Sequence, residues 1–195
     1  MTQRTRQRLL LTTALAACIS LLNACNDATP PTEPSSTKSI ADPSVSTIVG
    51  GEERLVSIMD ACDPVSFGAA GIACSRSGGV TFEQFLELLR KNQSVGSWHF
   101  APVLVNARVG QTLVALNRGG EDHTFTEVEE FGGGIVPLLN ELSGNPVPAP
   151  ECLGLAPADF IAPGASSTDE VEEPGTGHYQ CCIHPWMRVD VTARP

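Results

Sequence analysis

Residues 179–188 read Y-Q-C-C-I-H-P-W-M-R, and no other run in the chain restricts the fold so strongly. It joins two short apolar stretches, 179–183 and 189–193, whose length and β-branched content suit strands. In an extended segment, neighbouring side chains point to opposite faces, so Cys181 and Cys182 do not readily serve one site. One of them needs a partner elsewhere. Similar apolar runs, punctuated by Gly, Asn and Pro, recur at 100–106, 111–117 and 124–128. From Trp98 onward this spacing favours an all-β sandwich or barrel over helices alternating with strands.

Upstream the texture differs. T-F-E-Q-F-L-E-L-L-R-K-N at 81–92 predicts a helix, with Thr81 and Gln84 at capping-box spacing and Phe82, Phe85, Leu86 and Leu89 on one face. The cysteine-flanked segment 62–74 carries enough Gly and Pro to argue against a continuous helix. The region 129–177 is long and irregular, with F-G-G-G, N-P-V-P-A-P-E-C and E-V-E-E-P-G-T-G, and a loop of that length is usually functional or pinned. A chain of 195 residues accommodates one compact domain with appendages. The expected division is a signal peptide at 1–24, a disordered tether at 25–50, an N-terminal extension with one helix at 51–97, and the β domain at 98–195.

The first eight residues, M-T-Q-R-T-R-Q-R, are basic and precede a short apolar run ending in cysteine, as an export signal does. L-A-A-C at 15–18 and L-N-A-C at 22–25 both resemble the box read in bacterial lipoprotein processing. Cys25 is preferred because Cys18 leaves a very short apolar run. Plain secretion and an uncleaved anchor are the alternatives. Export to the bacterial periplasm or cell surface follows, with membrane contact only through a lipid on Cys25 or, less favourably, Cys18. The stretch 26–50 is rich in Pro, Ser and Thr and too poor in large apolar residues to order itself. Losing residues 1–24 removes three of the 12 basic residues and leaves 9 against 22 acidic ones, a formal charge of −13. Nucleic acid is not an expected partner.

Within the opening run, Cys181, His184 and Met187 set a thiolate, an imidazole and a thioether at intervals of three. Electron-transfer copper sites use a thiolate and two imidazoles in a trigonal set with a long axial thioether. One histidine is missing. Of the other three, His99 lies in W-H-F as a strand or surface residue, and His178 would face away from Cys181 in an extended strand. His123, in G-G-E-D-H-T-F-T-E-V, stands where a Gly-rich loop enters an alternating strand and completes the set. A binuclear copper centre needs a wider cysteine separation than an adjacent pair. Multicopper oxidases need more histidine pairs than four histidines supply, and zinc gives the methionine no role.

These residues resemble the cupredoxins, the small blue type 1 copper proteins. V-G-Q-T-L-V-A-L-N followed by R-G-G-E-D-H-T-F looks like their second and third core strands, with Asn117 six positions before His123 as in the plastocyanin pattern. P-G-T-G-H-Y-Q-C-C-I-H-P-W-M-R-V-D-V is similar to the final hairpin and ligand loop, and its C-x-x-H-x-x-M spacing matches the amicyanin type. The resemblance spans about 98–195 and implies an all-β Greek-key sandwich binding one copper through His123, Cys181, His184 and Met187. It also implies a single-electron carrier, with His184 nearest solvent and a redox protein docking transiently near it. A copper-handling protein that sequesters or delivers the metal is the alternative reading. Four ligands leave no open position for a substrate, so an enzyme is not expected. The chain departs from the family in having Thr124 where Asn often ties the ligand loops, and Cys182 where a small polar residue is common. With Cys25 lipidated and Cys181 on copper, Cys62, Cys74, Cys152 and Cys182 form an even set. Of the three possible pairings, Cys62–Cys74 and Cys152–Cys182 are preferred.

Overall fold

Eight strands form two four-stranded sheets in the computed structural model, which describes residues 53–195. The expected signal peptide, tether and lipidation cysteines fall outside the described residues. The strands are β1 (Arg54–Met59), β2 (His99–Ala101), β3 (Leu104–Arg108), β4 (Thr112–Asn117), β5 (Thr126–Val128), β6 (Ser166–Glu170), β7 (Gly175–Gln180) and β8 (Arg188–Arg194). One sheet has the order β2-β1-β4-β6 and the other β3-β8-β7-β5. Both are mixed: β1 runs parallel to β4 and β3 parallel to β8, while the remaining pairs are antiparallel.

Alternation along the strands explains the core. Val56 and Ile58 of β1, Phe100 of β2, and Leu113 and Ala115 of β4 belong to the same buried cluster as Val105 and Ala107 of β3 and Val189 and Val191 of β8. Both sheets therefore contribute to one hydrophobic core.

The helix expected at 81–92 is α2 (Phe82–Asn92), closed at its start by the expected box: the Gln84 amide donates to Thr81 Oγ1 and the Thr81 amide donates to Gln84 Oε1. Gln93 ends it in the left-handed conformation, φ 57°. The buried stripe Phe85 and Leu89 packs into the core. Helices α1 (Pro64–Ala69) and α3 (Pro137–Leu142) complete the set.

Three expectations are corrected. The extension expected at 51–97 is, over its described residues 53–97, not an appendage beside the β domain: β1 lies between β2 and β4, five of its residues in register with 113–117. Its partner is more than fifty residues away, a pairing that local pattern does not reveal. The run 100–106 is two strands in different sheets, because Pro102 interrupts it and lacks the N–H a ladder needs. Segment 62–74 is not a continuous helix, as expected; it holds one short helix, α1, with Pro64 in its first turn and Asp63 capping the Ser66 amide at 2.8 Å. Within 129–177, α3, two 3₁₀ turns (Pro150–Gly154 and Pro157–Asp159) and strand β6 give order where an irregular loop was expected. β6 reads S-S-T-D-E and escapes notice as a polar strand with only one neighbour in its sheet.

Both preferred disulfides are present: Cys62–Cys74 closes around α1, and Cys152–Cys182 fastens the irregular region beside the ligand loop. Among the described residues Cys181 is the free cysteine. The adjacent cysteines do face apart, since Cys181 belongs to the main core and Cys182 to a small separate cluster with Val128, Ala149 and Cys152. Among the described residues no helix is long and apolar enough to cross a membrane.

Candidate metal centre

The turn 181–187 leaves β7 and enters β8 and is closed by its own backbone. The Cys181 amide donates to the Met187 carbonyl at 3.0 Å, and the Met187 amide donates to the His184 carbonyl at 2.9 Å. This folds Cys181 and His184 over the same interior point, with Cys181 fully buried. Met187 is also fully buried, in the cluster that holds Cys181.

His123 arrives from the other side, on the segment between β4 and β5. Its backbone pairs with Ile161, donating at 3.2 Å and accepting at 2.7 Å. The loop before it is fastened by Asn117, whose Nδ2 donates to the carbonyls of Glu121 and Ile161 at 2.8 and 2.7 Å and whose Oδ1 accepts from the Gly119 amide. The spacing of Asn117 and His123 thus has a physical basis: the amide side chain fixes the loop that delivers the imidazole.

His123 Nδ1 lies 3.7 Å and His184 Nδ1 3.8 Å from Cys181 Sγ. The three ligand atoms lie within 4.8 Å of one another, on wholly buried residues. With metal–sulfur and metal–nitrogen bonds of roughly 2.3 and 2.0–2.1 Å, as zinc shows, an ion at the centre of a trigonal set would separate S from N by about 3.8 Å. The observed spacing fits an ion among the three donors. The Thr124 amide also points at the sulfur, at 3.5 Å.

Thr124, standing where Asn often ties the ligand loops, makes the tie with its shorter side chain. Thr124 Oγ1 accepts from the Cys182 amide at 2.8 Å, joining the His123 segment to the cysteine turn, and receives Thr126 Oγ1 at 3.0 Å. On the carbonyl side of Cys182, Gly134 lets another segment lie close against the turn. A Cβ at Gly134 would sit 1.8 Å from the Cys182 carbonyl oxygen, while the next amide, Ile135, donates to that oxygen at 2.7 Å. The F-G-G-G run is thereby accounted for.

His178 and His99 are elsewhere, as expected. His178 pairs through Nδ1 with Asp190 at 2.7 Å on the β7–β8 ladder, and His99 lies in β2.

His184 is the most exposed of the four expected ligands, the other three being fully buried, yet it is only 2% exposed. The rings of Phe85, Trp98 and Trp186 cover it, with centroids 6.2, 6.5 and 5.5 Å from its own. Phe85 comes from α2, outside the resemblance, and Trp98 from the segment leading into β2, at its edge. Trp186 packs against Phe85 at 5.9 Å rather than standing clear of the surface.

Two carboxylates stand behind the imidazoles, neither foreseen from the sequence. Asp60, just past β1, accepts from His123 Nε2 at 3.0 Å, both side chains being almost wholly buried. Glu121 Oε2 accepts from Trp98 Nε1 at 2.6 Å and lies 3.8 Å from His184 Nε2. The readable signal was the paired Gly119 and Gly120 before the ligand, which mark a close approach. A Cβ on Gly119 would fall 1.9 Å from Asp60 Oδ2, and one on Gly120 2.7 Å from Cys62 Sγ. Asp60 and Glu121 also cluster with Cys62, whose sulfur is committed to a disulfide.

Burial raises the Asp60 carboxyl, but hydrogen bonds from His123 and from the Glu121 and Gly120 amides outweigh it and bring it down to about 2. Burial opposes charge on His123, yet its bonds to Asp60 and Cys181 carry it up to about 9. Burial likewise works against the Cys181 thiolate, and the two imidazoles overcome it, leaving the thiol well below its ordinary range. Burial lifts the Glu121 carboxyl, with His184 and Trp98 pulling the other way. The metal-free site therefore favours a thiolate beside an imidazolium, the sulfur state a metal requires.

No protein-family model and no curated protein matches the chain. Among solved structures it is similar to a purple cupredoxin from Nitrosopumilus maritimus, at 16% identity over 72% of this chain and 99% of that one, with a TM-score of 0.42. It is also similar to amicyanin from Paracoccus versutus, at 17% identity over 49% of this chain and 73% of that one, with a TM-score of 0.33. A Cu(I) amicyanin mutant covers the same shares at 19% identity and a TM-score of 0.33. All three likenesses are remote. What the chain itself carries is a core between two mixed four-stranded sheets and a His/Cys/His triad consistent with a type 1 copper site.

Proposed function

We propose that this chain is a type 1 copper protein that carries single electrons between exported redox partners, built on a Greek-key sandwich. The observation that carries the reading is the convergence of His123 Nδ1 and His184 Nδ1 on the buried Cys181 sulfur at 3.7 and 3.8 Å. Met187, buried in the same cluster, would offer its thioether to the copper. Copper, when bound there, supplies a one-electron Cu(II)/Cu(I) couple.

The residues contribute rigidity and dryness. Donors from the 118–125 segment and from the 181–187 turn are joined by Thr124 and anchored by Asn117, so the set is arranged before any ion arrives. Little then has to move when charge changes. Phe85, Trp98 and Trp186 exclude water from His184. Docking of a redox protein near His184 then engages this aromatic cover and α2 rather than a bare imidazole edge, and transient docking needs little area. Two disulfides support export to an oxidising compartment, the periplasm or cell surface, with a lipid on Cys25 as the membrane tie.

The sealing of His184 also favours a second reading, in which the protein sequesters copper without carrying electrons. Voltammetry of the copper-loaded protein, paired with chelator competition, separates the two. A carrier shows a reversible one-electron couple and rapid self-exchange. A sequestering protein binds Cu(I) tightly and shows no fast exchange of electrons.

A further inference from the structure

Asp60 lies 63 residues from His123 in the chain, yet its carboxylate meets the imidazole inside the protein. We propose that Asp60 is the positioning residue of the copper site: it holds the His123 ring so that Nδ1 faces Cys181, and its buried charge biases the bound ion toward Cu(II). The proposal rests on the copper reading above.

The geometry leaves the carboxylate one role. An ionised carboxylate only accepts hydrogen bonds, and Asp60 is ringed by donors: the Cys62 amide on Oδ1 at 3.2 Å, and on Oδ2 the Gly120 amide at 2.8 Å, the Glu121 amide at 3.0 Å and His123 Nε2 at 3.0 Å. Nε2 must therefore carry a hydrogen, which leaves Nδ1, 3.7 Å from the sulfur, as the metal-facing atom. Gly119 makes room for this contact, since any Cβ there would overlap Oδ2. The two imidazoles are held unequally: His184 approaches Glu121 only at 3.8 Å, and the same oxygen is already engaged by Trp98. Asp60 is thus the carboxylate within hydrogen-bonding reach of a ligand. A negative charge held this close, away from solvent, favours the more highly charged copper ion.

The test uses the purified protein with Asp60→Asn, Asp60→Ala and Gly119→Ala, and Asp190→Asn as a control in the His178 pair away from the site. Asp60→Asn keeps the shape and removes the charge. It should lower the Cu(II)-to-Cu(I) affinity ratio about tenfold, a potential rise of about 59 mV for one electron. Asp60→Ala should weaken Cu(II) binding by about 10–100-fold. In the metal-free protein, a slowly exchanging His123 Nε2–H resonance should be present in the wild type and lost in Asp60→Ala. Gly119→Ala retains the carboxylate but displaces it, so it should weaken Cu(II) binding in the same direction even if Asp60→Ala fails to fold. A blue Asp60→Asn protein with wild-type potential, or a resonance that survives in Asp60→Ala, would overturn the proposal. If the wild type shows no thiolate-to-copper absorption, the copper reading fails instead, and the metal-free resonance still decides whether Asp60 positions His123.

Discussion

Replacing Phe85 with alanine should both destabilise the protein and open the metal centre. The ring is almost wholly buried and meets Phe67 at 5.7 Å, Trp98 at 4.8 Å, Trp186 at 5.9 Å and His184 at 6.2 Å. Burial of such a side chain is worth roughly 1.5–3 kcal/mol in transfer from water. The void left among several rings that cannot all collapse inward brings the expected cost of Phe85→Ala to about 3–5 kcal/mol. That is a large share of the 5–15 kcal/mol typical of a domain, so Phe85→Leu, expected to cost roughly 1–2 kcal/mol, serves as the milder companion. Urea unfolding of the metal-free proteins reads the stability. The time course of copper removal by a small chelator reads the sealing, and it should quicken in the order wild type, leucine, alanine. A loss under 1 kcal/mol in Phe85→Ala, with copper removal as slow as in the wild type, would refute the idea that α2 closes the site.

Two further outcomes follow from the same geometry. Thr124→Val keeps the shape but strips the Cys182 amide of its 2.8 Å acceptor; the buried N–H should cost about 1–3 kcal/mol by urea unfolding, with faster amide exchange at Cys182, while Thr124→Ser should retain the bond. The Asp60 carboxyl, depressed to about 2 from its ordinary 3.8, contributes stability that is present above pH 3.8 and lost as the pH falls through 2. The advantage of the metal-free wild type over Asp60→Asn should therefore shrink by about 2 kcal/mol between pH 7 and pH 2, as measured by urea midpoints.

What could be read from the sequence follows from how far apart the interacting residues are. Cys181, His184 and Met187 lie on one seven-residue turn, so their spacing carries the chemistry without knowledge of the fold. His123 was reachable because a glycine pair before an alternating strand marks a loop end. The capping box of α2 is a four-residue pattern and was equally plain. Asp60, Phe85 and Trp98 could not be found this way, since each meets the site across a separation no local periodicity encodes. The same holds for β1, whose place in the sheet rests on a parallel pairing that needs a long crossover. β6 was missed for another reason: without a hydrophobic run, only the backbone ladder to β4 identifies it. The covering of His184 is the functional consequence, because Phe85, one of its three rings, comes from the expected extension.

The central claim is that His123, Cys181, His184 and Met187 gather around one copper ion. A visible-spectrum titration with Cu(II), run on the wild type and on Cys181→Ser, tests it most directly. The wild type should develop an intense visible band that saturates at one copper per chain, and the serine variant should lack it. A colourless wild type, or the same spectrum from both proteins, would contradict the account.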